Sequence, residues 1–186
     1  MGTEATSATT DSQLVTEARA GDPRAFGQLV RRHAPIARRM AVLWGAGADA
    51  DDVVQDAFVR AYAGLGGFRT DGQFRAWLLA IVRNETRNLF RSRRRRSARE
   101  ELTLLADGDL VLDPESSALT AERHAELLRG VRGLARELRE VVACRYLLEL
   151  SEAETAAALQ IPPGTVKSRL HRALTILRQE VDDGRP

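Results

Sequence analysis

Cysteine occurs once in this 186-residue chain, at Cys144, which rules out an internal disulfide and a zinc site built from several thiolates. The three histidines, His33, His124 and His171, lie far apart, so neither a structural metal nor a cofactor is expected. No apolar run approaches the roughly 20 residues that cross a bilayer, which argues against membrane insertion. Met1 to Ser12 has neither a basic start nor an apolar stretch. It therefore does not read as a secretory signal, and a disordered tail over 1–12 and a cytoplasmic location are expected. Nucleophile–base pairs and glycine-rich phosphate loops are missing as well, so the chain is not expected to be an enzyme. Strand-like alternation and hairpin signals are absent, leaving an all-α reading.

What is present is a segregation of charge. Hydrophobic residues make up 44% and charged residues 29%, an ordinary globular composition, and the net charge is only +2. Residues 13–96 nevertheless carry 16 basic and 8 acidic side chains, whereas residues 97–122 carry one arginine and seven acids. A basic block followed by an acidic stretch suggests a surface for a polyanion and a connector that avoids or imitates it.

Apolar residues at Phe26, Leu29, Val30, His33, Ala37, Met40 and Trp44 have helical spacing and follow the turn-like Gly21-Asp22-Pro23. Val53, Val54, Ala57, Phe58, Ala61, Tyr62 and Leu65 define a second helix, with Asp49 as its expected N-cap and Gly64, Gly66 and Gly67 at its end. A third begins after Thr70-Asp71-Gly72, buries Phe74, Trp77, Leu78, Ile81 and Val82, and runs into Arg87 to Arg96. Periodicity then fades over 97–122, where Asp107-Gly108-Asp109 and Asp113-Pro114 interrupt an acidic stretch that reads as a flexible linker. It resumes with Leu127, Leu128, Val131, Leu134 and Leu138 and continues through Val141, Val142 and Tyr146. The expected architecture is two small helical domains, 13–96 and 123–186, joined by the acidic linker.

The second domain holds the most informative motif. Ser151 and Glu154 form a capping box that opens a short helix. Gln160-Ile161-Pro162-Pro163-Gly164 cannot continue it, because two prolines remove donors, yet proline suits the first turn of a new helix. On that new helix Val166, Leu170, Ala173, Leu174 and Leu177 share a sector of about 100°, leaving Lys167, Ser168, His171 and Arg172 on the polar remainder. Such a helix-turn-helix points to DNA, since Arg and Lys reach guanine or phosphate in the major groove. The motif alone does not separate a repressor, an activator and a promoter-selecting polymerase subunit.

Four stretches, one of them in this helix-turn-helix, carry a resemblance. Asp49 to Tyr62 resembles the segment with which bacterial extracytoplasmic-function sigma factors grip the clamp helices of the polymerase β′ subunit. Phe68-Arg69 and Phe74-Arg75-Ala76-Trp77-Leu78 resemble the segment that follows, and Gly164 to Ala173 is similar to the minus-35-reading helix. The resemblance implies a sigma factor of the sigma-70 family that binds core RNA polymerase through the β′ clamp helices and the β flap, selects promoter DNA and is restrained by an anti-sigma factor. It assigns Asp51, Asp52, Gln55 and Asp56 to the clamp. Phe68 and Asn84 go to a pocket for an extracted minus-10 base, beside the loop Gly67 to Gly72. Thr165, Lys167, Ser168, His171 and Arg172 go to the minus-35 element. Arg87, Arg91, Arg93, Arg94, Arg95 and Arg96 would hold phosphates near the minus-10 element, and the linker would thread the polymerase cleft where RNA emerges.

Other readings stay open at this point. A solvated face accounts for an acid cluster equally well, Phe68 and Trp77 suit a core, and the arginine run would complement its helix dipole. A sigma-like adaptor that sequesters an anti-sigma factor, or a stand-alone helix-turn-helix regulator, would use the same C-terminal motif. Ala153-Glu154-Thr155-Ala156 also stands where the family more often has Glu-Glu-Ile-Ala.

Overall fold

A computed structural model describes residues 9–69, 73–97, 130–131 and 133–183. The expected acidic linker lies, from residue 98 onward, outside these residues, as do Thr70, Asp71 and Gly72. Seven α-helices are described, with no strand among the described residues: α1 (Asp11–Arg19), α2 (Pro23–Leu43), α3 (Ala50–Gly64), α4 (Phe74–Ser97), α5 (Arg136–Val142), α6 (Glu152–Leu159) and α7 (Pro163–Asp183). Among the described residues no helix is long and apolar enough to cross a membrane.

Local signals account for most boundaries. Asp22 accepts a hydrogen bond from the Arg24 amide (2.8 Å) and so caps α2, with Pro23 in its first turn. Helix α1 was not expected, and the tail placed over 1–12 overlaps it. Thr10 and Gln13 form a capping box that opens α1 at Asp11. The Asp11 carboxylate then ties α1 to α2 through Arg32 (2.5 Å) and His33 Nε2 (2.7 Å). His33 is buried, and burial lowers its pKa although Asp11 acts in the opposite sense.

Two local expectations need correction. Asp49 stands at the N-cap position of α3, as expected, and also ends a 3₁₀ turn, Gly47–Asp49, but its side chain makes no capping bond, because the carboxylate is taken by Arg93 from α4. Tyr146 does not continue the apolar stripe of α5. After Val142 the helix widens into a π-helical turn, Ala143–Leu147, which carries Tyr146 to the surface, where it is 57% exposed. Cys144, in the same turn, is fully buried, and burial pushes its thiol pKa up to about 12, which keeps it protonated and inert.

The two helical halves share one core. Leu14, Leu29, Phe58, Leu78 and Val82 from the first half belong to the same buried cluster as Val141, Cys144, Leu150, Leu159 and Val166 from the second. A smaller cluster of Val131, Leu134, Leu138, Val142, Ala173 and Leu177 belongs to the second half alone. At the joint Glu140 Oε2 accepts from Arg83 Nη2 (2.7 Å) and Nε (3.2 Å), while Glu140 Oε1 accepts from Arg136 (3.1 Å). Arg83 Nη1 donates to the Leu159 carbonyl (2.8 Å). Arg39 and Arg75 add bonds to the carbonyls of Leu147 (3.0 Å) and Leu148 (2.7 Å).

Removing one member of a buried ion pair leaves the other charged and uncompensated, at about 3–5 kcal/mol. Glu140→Ala is therefore expected to part the halves while keeping each one helical. Small-angle scattering should show an increased radius of gyration with unchanged circular dichroism, and the paired replacement Arg83→Met with Glu140→Leu should remain compact.

Candidate nucleic-acid and protein interfaces

The helix-turn-helix is built as its sequence indicates. Ser151 accepts from the Glu154 amide (3.2 Å) and the Glu154 carboxylate accepts from the Ser151 amide (2.8 Å), closing the capping box of α6. Gln160 ends α6 in the left-handed conformation (φ 53°), and the Pro162 carbonyl receives the amides of Thr165 (2.9 Å) and Val166 (3.2 Å) at the start of α7. Val166, Ala173 and Leu177 turn inward and are buried, with Leu170 and Leu174 half-buried beside them. Lys167, Ser168, His171 and Arg172 are exposed on the opposite side, and Thr165 is half-buried at the helix start. Lys167 lies 3.6 Å from Glu152, an exposed pair that costs little to break. The Ser168 hydroxyl donates to the Thr165 carbonyl (3.2 Å), leaving its lone pairs outward. The face presents a cation, a guanidinium, a hydroxyl and an imidazole with no covering element among the described residues.

On the first half, Asp51, Asp52, Gln55 and Asp56 are all exposed along α3, and Asp51 accepts from Arg38 of α2 (2.8 Å). Sequence reasoning missed what lies next to them. A groove of about 480 Å³ runs between α2 and α3, lined by Phe26, Val30, Val59 and Tyr62, with Asp51 and Gln55 at its rim. Val59 is 62% and Tyr62 51% exposed, the two most exposed large apolar side chains described on this half. Val59 falls on the polar side of the α3 stripe and Tyr62 within it, so spacing alone marks neither as lining a groove. An apolar cleft bordered by acids is suited to a protein partner that brings apolar and basic side chains.

The third face is α4. Asn84 and Arg87 are half-buried, while Arg91 and Arg94 are exposed. Burial at the joint, together with nearby Arg83, lowers the Arg87 guanidinium pKa. Arg93 does not belong with the free arginines, since it is paired with Asp49. Phe68 is likewise not an open stacking platform. The residue is 7% exposed, and its ring packs on Phe74 and Trp77, with centroids 5.9 and 4.9 Å away. Trp77 is half-buried in the same aromatic cluster. The side chain of Arg96 lies outside the described set. The structure thus brings Asn84, Arg87, Arg91 and Arg94 onto one helix, with Phe68 packed on Phe74 and Trp77 near its start.

Comparison with known proteins assigns both halves. Residues 29–96 match sigma-70 region 2, and residues 124–177 match sigma-70, region 4. Over 182 residues the chain is 32% identical to the ECF RNA polymerase sigma-E factor of Escherichia coli (strain K12), covering 94% of this chain and 93% of the relative. The RNA polymerase sigma-H factor of Pseudomonas aeruginosa is 35% identical over 172 residues, with 88% and 89% covered. Among solved structures, CnrH in complex with the cytosolic domain of CnrY superposes with a TM-score of 0.68 at 31% identity, covering 94% of this chain and 99% of that one. The sigma factor RpoE in complex with the anti-sigma factor NepR from Bartonella quintana gives 0.68 at 25% identity, with 86% and 98% covered.

The capping box predicts its own test. Ser151→Ala should cost about 1 kcal/mol, visible as a lowered thermal midpoint, whereas Ser151→Asp, another good N-cap, should retain most of the stability.

Proposed function

The chain belongs to the extracytoplasmic-function sigma factors of the sigma-70 family, RNA polymerase subunits that direct promoter-specific initiation, and on that premise we propose how its exposed faces divide the work. The α2–α3 groove receives the β′ clamp helices of the polymerase. Apolar side chains of that coiled coil enter between Val30, Val59 and Tyr62, while Asp51, Asp52, Gln55 and Asp56 meet polar and basic groups at the rim. The exposed face of α7 reads the minus-35 element, with Arg172 and Lys167 addressing guanine or phosphate and Ser168, His171 and Thr165 completing the contact. On α4, Asn84 hydrogen-bonds a base extracted from the minus-10 element, and Arg87, Arg91 and Arg94 hold the adjoining phosphates. Phe68 serves from inside, as a ring that supports the loop, and Arg93 orients the helix through Asp49. The β flap is the partner assigned to the C-terminal half.

The observation that carries this reading is the coexistence of two unlike unoccupied faces in one chain: a helix-turn-helix with an outward cationic face, and an acid-rimmed apolar groove on the other half. A stand-alone regulator has no use for the groove, and an adaptor that only sequesters has no use for an intact reading face. RNA synthesis itself stays with the polymerase, and this chain catalyses nothing. It acts in the cytoplasm beside the chromosome. The RpoE structure holds an anti-sigma factor, and a regulatory partner of that kind is proposed here too, binding when the polymerase is absent.

Reading both elements requires the halves to separate. About 25 base pairs at about 3.4 Å each put the two elements roughly 85 Å apart, beyond what α4 and α7 span while both pack on α6.

Purified chain added to sigma-free core polymerase should yield discrete run-off transcripts from a genomic fragment library. Asp52→Arg and Val59→Asp should abolish them with folding intact; transcripts that persist with both variants would remove the groove from the interface. On a promoter recovered this way, Arg172→Ala should lose about 1–3 kcal/mol of preference for the matched minus-35 element, and equal loss on a scrambled element would cancel the assigned base contact.

A further inference from the structure

One guanidinium fixes the segment that precedes the expected minus-10 pocket. Arg19, the last residue of α1, donates from Nε to the Leu65 carbonyl (2.7 Å) and from Nη2 to the carbonyls of Gly66 (3.5 Å) and Phe68. These acceptors follow the end of α3, in and after its terminal 3₁₀ turn, Leu65–Gly67, where the Leu65 carbonyl also accepts the Phe68 amide (3.1 Å). Arginine near a helix C-terminus satisfies such groups, and its planar fork reaches several at fixed angles where a lysine would place a single point charge.

The segment needs an external hold. Gly64, Gly66 and Gly67 put three residues of the greatest backbone freedom within four positions. Within it only Leu65 is anchored in the core, until Phe68 drops its ring between Phe74 and Trp77. The backbone leading from α3 towards α4 is therefore held from inside by the Leu65 side chain and the Phe68 ring and from outside by the Arg19 fork, which bonds the backbone itself. Arg19 is positioned by α1, which is fastened to α2 through Asp11, Arg32 and His33. It also lies before residue 29, where the match to sigma-70 region 2 begins.

We propose that Arg19 is a positioning residue for minus-10 recognition, its fork setting the backbone at Leu65–Phe68 so that an extracted base meets Asn84 in register. The inference rests on the assignment of Phe68 and Asn84 to the minus-10 pocket. Base extraction costs a few kcal/mol and is offset only by interactions available at the moment the base leaves the stack, so a misplaced wall slows opening more than it weakens docking.

The test uses the full chain with core polymerase on a recovered promoter, as intact duplex and as a template already unpaired across the minus-10 element. Arg19→Ala and Arg19→Lys should each lose about tenfold or more in transcription from the duplex, the scale of one or two charge-assisted hydrogen bonds. They should keep near-normal transcription from the unpaired template, and discriminate poorly between the matched minus-10 element and one with its extracted base replaced. Core binding by fluorescence anisotropy and minus-35 preference should not change. Equal loss on both templates, or full duplex activity for Arg19→Ala, would overturn the inference. Asn84→Ala separates the two levels: if it abolishes minus-10 discrimination and Arg19→Ala does not, only the positioning role fails; if it leaves discrimination intact, the pocket assignment fails and takes the positioning role with it.

Discussion

The buried pair between Arg83 and Glu140 is the constraint on which the arrangement of this molecule depends. Both side chains are almost wholly withdrawn from water, at 6% and 3% exposure, and lone charges there would be prohibitive. Each is satisfied by more than its partner: Glu140 also takes Arg136, and Arg83 also reaches the Leu159 carbonyl. Such a pair is weak evidence for stability in itself, because desolvation consumes much of the Coulombic gain. Its consequence is geometric. Apolar packing alone tolerates sliding, whereas a guanidinium bonded to a carboxylate and a carbonyl admits one register of α4 against α5 and α6. The same chemistry makes the joint separable. Once the halves part, both charges are taken up by water, which recovers part of what the broken contact held.

Arginine recurs in this role. Arg39, Arg75 and Arg145 donate to backbone carbonyls beside the π-helical turn, Arg19 does so at the end of α3, and Arg93 is occupied by Asp49. All but one of the 28 basic side chains are arginine. The +8 excess of the first half therefore overstates the charge offered to DNA, since part of it is internal structure. What remains outward includes Arg91, Arg94 and Arg95 on α4, Lys167, Arg172 and Arg178 on α7, and Arg24 and Arg31 on α2.

How far the fold was legible in the sequence follows from the range of each interaction. Capping boxes and the 3.6-residue period act within a few residues, so α2, α3, α4, α6 and α7 and the helix-turn-helix were readable. The Thr10–Gln13 box at α1 is equally local, but it sits in a Thr-, Ser- and Ala-rich stretch whose composition suggests a tail. The Arg83–Glu140 joint connects positions 57 residues apart, and nothing local marks either one. Asp49 shows the same limit from the other side: its N-cap position was correctly recognised as a signal, and a partner 44 residues away claimed the carboxylate.

The functional faces divide along the same line. A reading helix is defined by its own periodicity, so the outward set Lys167, Ser168, His171 and Arg172 came directly from the spacing. The polar half of the α3 face did as well. Its apolar half did not, because a periodic stripe marks residues as core-facing or solvent-facing, and Val59 and Tyr62 are neither: they border a groove that exists only when α2 lies alongside. The region proposed for minus-10 recognition is the extreme case. An aromatic at position 68 is compatible with a stacking platform or with a core plug, and the choice is made by Phe74, Trp77 and a guanidinium from α1. Where a site is one face of one helix, residue types at a given spacing are enough to find it. Where it is a loop held by distant elements, the residues that hold it carry no local mark.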